Sequence, residues 1–147
     1  MKKIRCYLAG WFVPMDGYED WREFFKEKLK NDMDFYDPRT DTKQGSIALF
    51  VYQDLVNGVD RSDIVFYYVT DSGDVGSAIE CGRAECCNKP VILCIDRKVV
   101  NVVHPFLIGI ARRMIIGPEA GVAYLKSLAK YGLENEFRAI EEVMKSN

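Results

Sequence analysis

A single doubly wound α/β domain, with a five-stranded parallel sheet flanked by helices, is the fold this sequence predicts. Short β-prone runs alternate with helical stripes from one end of the chain to the other, and the two central runs are almost wholly apolar. Such runs suit strands covered on both faces, and alternation supplies the helical crossovers that parallel strands need. At 147 residues the chain has the size of one ordinary domain with a sizeable core.

The elements follow in order. Residues 4–9 form a β-prone run that stops at Gly10, and residues 18–31 carry apolar side chains at 21, 24, 25 and 29, a helical spacing. Asp34-Phe35-Tyr36 is a strand closed by Asp37-Pro38, after which residues 46–59 have apolar positions at 47, 50, 51, 55 and 59 and read as one helix. Residues 63–69 are the first central strand, broken by Asp71-Ser72-Gly73-Asp74, and residues 75–88 are helical. Lys89-Pro90 opens the second central strand, residues 91–95. Residues 99–111 fit no single period. Residues 113–116 read as the fifth strand, Pro118 opens a helix to about residue 131, and residues 133–145 are a last amphipathic helix. No linker or repeat divides the chain, so residues 1–147 are expected to act as one unit.

Composition narrows the function. Twenty Lys and Arg against 22 Asp and Glu leave a net charge of -2, which provides no footprint for nucleic-acid phosphates or an anionic membrane. No apolar stretch reaches the ~20 residues of a membrane span, and the start has no signal-peptide core. Five cysteines, an odd number inside a domain large enough to need no bridges, suggest a reducing cytoplasm. Adjacent Cys86-Cys87 and one histidine, His104, do not make a zinc-ligand pattern, so no metal is expected. The first βα turn has a single glycine, without the Gly-x-Gly-x-x-Gly of dinucleotide folds, and no phosphate-binding P-loop is present. No cofactor is expected.

Ligands of doubly wound sheets sit beyond the carboxyl ends of the strands, where strand order reverses. That points to the loops after Ala9, Tyr36 and Val69. After Ala9, Gly10 is followed by Trp11 and Phe12, which either pack into the core or wall a site for a flat ring. After Val69, Gly76 permits close approach of backbone to a ligand, and Asp74 is either the N-cap of the next helix or a ligand group. Glu80 shares a helical face with Gly76, Ser77 and Ala84, and is either ion-paired with Arg83 or a partly buried carboxylate placed for reaction. Asp54 falls at the edge of an apolar stripe, either solvated or facing a cleft, whereas Asp60 and Asp63 read as surface and loop-end residues.

Across residues 4–95 the order of motifs resembles the nucleoside 2-deoxyribosyltransferases. The residues concerned are Tyr7-Leu8-Ala9-Gly10, then Asp54-Leu55-Val56-Asn57-Gly58-Val59 with Ser62-Asp63-Ile64-Val65, then Asp74 to Ala84, and Lys89-Pro90-Val91. The block Asp74-x-Gly76-x-x-x-Glu80-x-Gly82-x-Ala84 is its most specific part. The resemblance implies a flavodoxin-like sheet. It also implies that Glu80 is the nucleophile at the anomeric carbon, holding the sugar as a covalent ester, with Tyr7 hydrogen-bonded to it. Asp54 would protonate the departing base, and Asp74 would contact the sugar near its 5′-hydroxyl. Retaining glycosyl transfer needs such a carboxylate on one face and a proton donor at the leaving group.

The family is also homo-oligomeric, a neighbouring subunit supplying an asparagine to the sugar site. In this sequence Asn101 and His104 are the candidates for that role, His104 alternatively being a turn residue before Pro105. The implied partners are nucleosides and free nucleobases, exchanged in nucleoside salvage. Related hydrolases that cleave nucleotides place Ser at the position of Asp74, which suits a phosphate. Here the carboxylate would repel one, and the first βα turn has no Lys or Arg to compensate. A non-catalytic nucleoside sensor is the third reading, against which the joint presence of Tyr7, Asp54 and Glu80 speaks.

Overall fold

Side chains of a strand alternate between the two faces of its sheet, and the first strand, β1 (Arg5–Ala9), shows the consequence here. The computed structural model describes residues 2–43 and 45–134. Cys6 and Leu8 of β1 enter one core layer, Tyr7 and Ala9 the other. With β2 (Asp34–Tyr36), β3 (Ile64–Val69), β4 (Val91–Ile95) and β5 (Arg113–Ile116) it forms one parallel sheet in the order β2-β1-β3-β4-β5. Every residue of β3 and β4 is buried, as their continuous apolar runs require.

Helices cover both faces, and each begins where a cap or proline permits. On the Cys6–Leu8 face lie α1 (Trp21–Leu29), capped by the Asp20 carboxylate on the N–H of Arg22, and α6 (Pro118–Tyr131). Between β2 and β3 come α2 (Pro38–Asp41), capped by Asp37, and α3 (Ile47–Tyr52), capped by Ser46. The Tyr7 face is covered by α4 (Val75–Cys86) and α5 (Pro105–Ile110). Strand order reverses between β1 and β3, so their carboxyl ends open the crevice in which such folds bind ligands.

Several expected elements take a different form. Residues 46–59 are not one α-helix: α3 passes into a π-helical stretch, Gln53–Val59. None of α3 is buried, and Ile47 of its apolar stripe is 84% exposed, because this helix borders the crevice instead of covering the sheet. The wider π turns bury Gln53 and Asp54 and carry Gly58 beneath the stacked rings of Tyr7 and Tyr36. A Cβ on Gly58 would collide with the Tyr7 ring and lie 3.1 Å from Tyr36 Cδ1. Residues 99–111 divide into a 3₁₀ segment, Arg97–Val102, and α5. The helix expected over residues 133–145 lies, from residue 135 onward, outside the described residues. All five cysteines are free thiols, and no described helix is long and apolar enough to cross a membrane.

Candidate active site

The crevice is a cavity of about 330 Å³, the size of a small-molecule site. Tyr7, Gly10, Trp11 and Phe12 from β1 and its loop, Asp54 from the π-helical stretch, and Asp74, Gly76 and Glu80 from the start of α4 all line it. Eight of the ten candidates singled out in the sequence therefore meet in one place. Asn101 and His104 do not: Asn101 is exposed in the segment after β4, with β3 standing between that strand and β1. His104 caps α5, its Nδ1 accepting the N–H of Phe106 at 3.2 Å, which is the turn role.

Gly10 is what allows the first loop to leave β1. Its φ is +142°, and a Cβ there would stand 2.8 Å from the carbonyl oxygen of Tyr68. The next two side chains are turned outward into the crevice. Trp11 and Phe12 are 50% and 58% exposed, so they line the crevice instead of packing into the core.

The carboxylates differ in their surroundings. Glu80 accepts a hydrogen bond from the Tyr7 hydroxyl. Burial pushes the Glu80 carboxyl up to about 8, with Tyr7 and Arg22 opposing the rise and the charges of Asp54 and Asp74 adding to it. Of the two readings of Glu80, the ion pair with Arg83 does not form: Arg83 grips Asp60 with two bonds of 2.7 Å, so Asp60 is tied to α4 and Glu80 faces the crevice. Asp54 is buried, not solvated, and burial raises its carboxyl above the ordinary range. Thr42 donates to its Oδ1 at 2.5 Å. Asp74 does cap α4, accepting the N–H of Ser77 at 3.0 Å and its hydroxyl at 2.6 Å, and it lines the crevice as well. Tyr7, buried beside these acids, is held far above the ordinary phenol range and stays a hydrogen-bond donor.

Two participants escaped the sequence reading. Arg22 lines the crevice although 1% exposed, so α1 brings a cation to a first turn that has no Lys or Arg of its own. It donates to the carbonyls of Leu8 (3.2 Å), Gly10 (2.5 Å) and Trp11 (3.3 Å). Asp20 (3.1 Å) and Asp37 (3.6 Å) neutralise it. Its signal was a charged residue three and seven positions before Phe25 and Leu29, on the apolar face of α1. Thr42 had no such signal, since its partner lies across a loop. Among the described residues no cluster of His, Cys, Asp or Glu is arranged to hold a metal ion.

Comparison with known proteins adds relatives to this geometry. The sequence model of a family described as Nucleoside 2-deoxyribosyltransferase matches residues 6–110. No protein of curated function matches in sequence. Among solved structures, a conserved protein from Enterococcus faecalis V583 superposes with a TM-score of 0.69 at 16% identity, over 86% of this chain and 99% of that one. The 2-deoxyribosyltransferase of Bacillus psychrosaccharolyticus gives 0.63 at 19% identity, over 82% and 95%. A CMP N-glycosidase from Clostridium botulinum gives 0.55 at 17%, over 82% and 97%. At these identities the likeness is one of fold, the flavodoxin-like sheet.

Proposed function

The chain belongs to the nucleoside 2-deoxyribosyltransferase family, and from that premise we propose that it exchanges the nucleobase of 2′-deoxyribonucleosides through a deoxyribosyl ester on Glu80. The observation that carries this reading is the Tyr7–Glu80 contact in a crevice that also holds a second buried acid, Asp54. A carboxylate to attack C1′ and a second acid to protonate the leaving base are the pair that retaining glycosyl transfer uses. The Glu80 carboxylate attacks C1′ as the C1′–N bond breaks, Asp54 protonates the departing base, and Trp11 and Phe12 supply faces for base stacking. A second base then attacks the ester from the vacated side and releases Glu80. Incubation with 2′-deoxyinosine and free adenine or cytosine, followed by chromatography, tests this. A new nucleoside supports exchange, free base alone supports hydrolysis, and no product favours a sensor.

Hydrolysis of a nucleoside 5′-monophosphate is the second reading, and Arg22 at the crevice wall is the observation that favours it. Against it, Asp20 and Asp37 occupy that guanidinium, and Asp74 presents a carboxylate where a phosphate would enter. Two like charges ~4 Å apart repel by roughly 4 kcal/mol at an effective dielectric of about 20. Wild type is expected to prefer 2′-deoxyadenosine over its 5′-monophosphate by at least about tenfold in kcat/KM, a fraction of that repulsion. Asp74→Ser should narrow the gap, because Ser77 and the first amides of α4 could then receive the phosphate. A wild type that prefers the monophosphate would return Asp74 to its capping role and make the hydrolase the better reading.

The crevice rim supports assembly of identical chains. Val51 and Ile79 line it with large apolar surface exposed, as do Trp11 and Phe12, and a second copy would cover that surface. Asn101 would then serve a neighbour's site instead of its own. Sedimentation should find an oligomer, and a monomer at micromolar concentration would exclude this.

A further inference from the structure

Asp54 is held by a construction that neither the base-exchange chemistry nor the family match assigns. Thr42 is 5% exposed at the end of α2, and its Oγ1 stands 2.5 Å from Asp54 Oδ1 and 2.8 Å from the Tyr36 hydroxyl. One residue further on, Lys43 and Gln53 lock the same two segments together. The Lys43 N–H donates to Gln53 Oε1 at 2.9 Å, and Gln53 Nε2 donates to the Lys43 carbonyl at 3.0 Å. Two adjacent residue pairs, 42 with 54 and 43 with 53, thus fix the loop against the π-helical stretch.

A threonine hydroxyl has one proton. Spent on Asp54, it makes Tyr36 the donor to Thr42, so the relay runs from Tyr36 through Thr42 to Asp54. The Tyr36 ring is in turn stacked on Tyr7, centroids 5.5 Å apart and planes 15° from parallel. Tyr7 donates to Glu80. Nucleophile and acid are therefore set by one continuous stack of two phenols. Among the described residues, Asp54 Oδ2 has no hydrogen-bond partner.

We propose that Thr42 is a positioning residue for leaving-group protonation: by occupying Oδ1 it places the transferable proton of Asp54 on Oδ2. The proposal rests on the base-exchange reading. In the step it serves, the C1′–N bond breaks with its electron pair passing to the base, the base takes the proton from Oδ2, and the Glu80 oxygen bonds to C1′. A hydrogen bond donated to a carboxylate favours its ionised form, so Thr42 also keeps Asp54 acidic enough to give the proton up. The other groups facing Asp54 are Glu80 on α4, Arg22 on α1, and the phenols of Tyr7 and Tyr36 on β1 and β2.

Thr42→Val removes the donor at nearly constant shape, and Thr42→Ser retains it. Carbon-13 titration of the Asp54 carboxyl should show its pKa raised by about one unit in the Val variant, from the loss of one charge-assisted hydrogen bond. The Ser variant should return it to the wild-type value. Turnover of 2′-deoxyadenosine should fall roughly tenfold with KM little changed, by the same free-energy difference. That of 7-methyl-2′-deoxyguanosine, whose cationic base departs without a proton, should stay within about twofold. Equal losses on both substrates, or an unmoved Asp54 titration, would overturn the proposal. Tyr36→Phe, which keeps the ring stack, should raise the Asp54 pKa by a smaller amount and decides the matter if the Val variant does not fold. A wild type inert on both nucleosides would remove the base-exchange reading, while the titration separately decides whether Thr42 governs Asp54.

Discussion

Glu80→Ala is expected to abolish base exchange, a loss of at least about 10³-fold of the kind that follows removal of a group acting covalently. Tyr7 would lose its acceptor, and neither Asp54 nor Asp74 can take over, the first being held by Thr42 and the second by Ser77. Acid-quenched wild type with substrate should yield a deoxyribosyl adduct on the peptide that carries Glu80, and the Ala variant should yield none. Retained exchange in the variant would sink the assignment. The same carboxyl sets a pH dependence. With 7-methyl-2′-deoxyguanosine, which needs no acid, only ionised Glu80 is required, so kcat/KM should rise as pH is raised and level off above about 8. A profile flat from pH 6 to 9 would contradict this.

Stability runs in the opposite direction. A carboxyl raised to about 8 by burial binds a proton in the folded state that the unfolded chain, near 4.5, has already lost. Stability therefore falls as pH rises between those values. Glu80→Gln should gain on the order of 1–2 kcal/mol over wild type at pH 8, discounted for water entering the open crevice, and nothing below about pH 4. Thermal melts across that range would read it. Active-site carboxylates that cost stability are a common form of the trade between function and folding.

Asp54→Asn carries the second large effect. An amide cannot donate a carboxylic proton, and general acid catalysis by a positioned group contributes typically 10²–10⁴-fold. Turnover of 2′-deoxyadenosine should fall by about that factor, while 7-methyl-2′-deoxyguanosine, whose base leaves unprotonated, should lose little. The fold should tolerate the change, because Asn still offers an acceptor to Thr42. Wild-type rates on both substrates would make Asp54 a structural residue of the π-helical stretch.

The two substitutions separate what the sequence determined from what only the tertiary structure decided. Periodicity and apolar runs were enough for the five strands and for most of the helices that cover them, because burial on a sheet face or helix face imposes a spacing visible along one chain. The first-loop residues Gly10, Trp11 and Phe12 and the Asp74–Glu80 block were likewise legible, since strand-end loops are where such sheets bind. Local spacing could not distinguish Glu80 paired with Arg83 from Glu80 bonded to Tyr7, because Tyr7 lies 73 positions away. Nor could it foresee that residues 53–59 widen into a π-helix so that Gly58 slips under two rings. The buried charge of Arg22 and the hydroxyl of Thr42 became parts of the site only when loops distant in sequence closed on one another. Chain pattern dictates which faces are buried, whereas the protonation and partners of a buried polar group depend on what the fold brings to it.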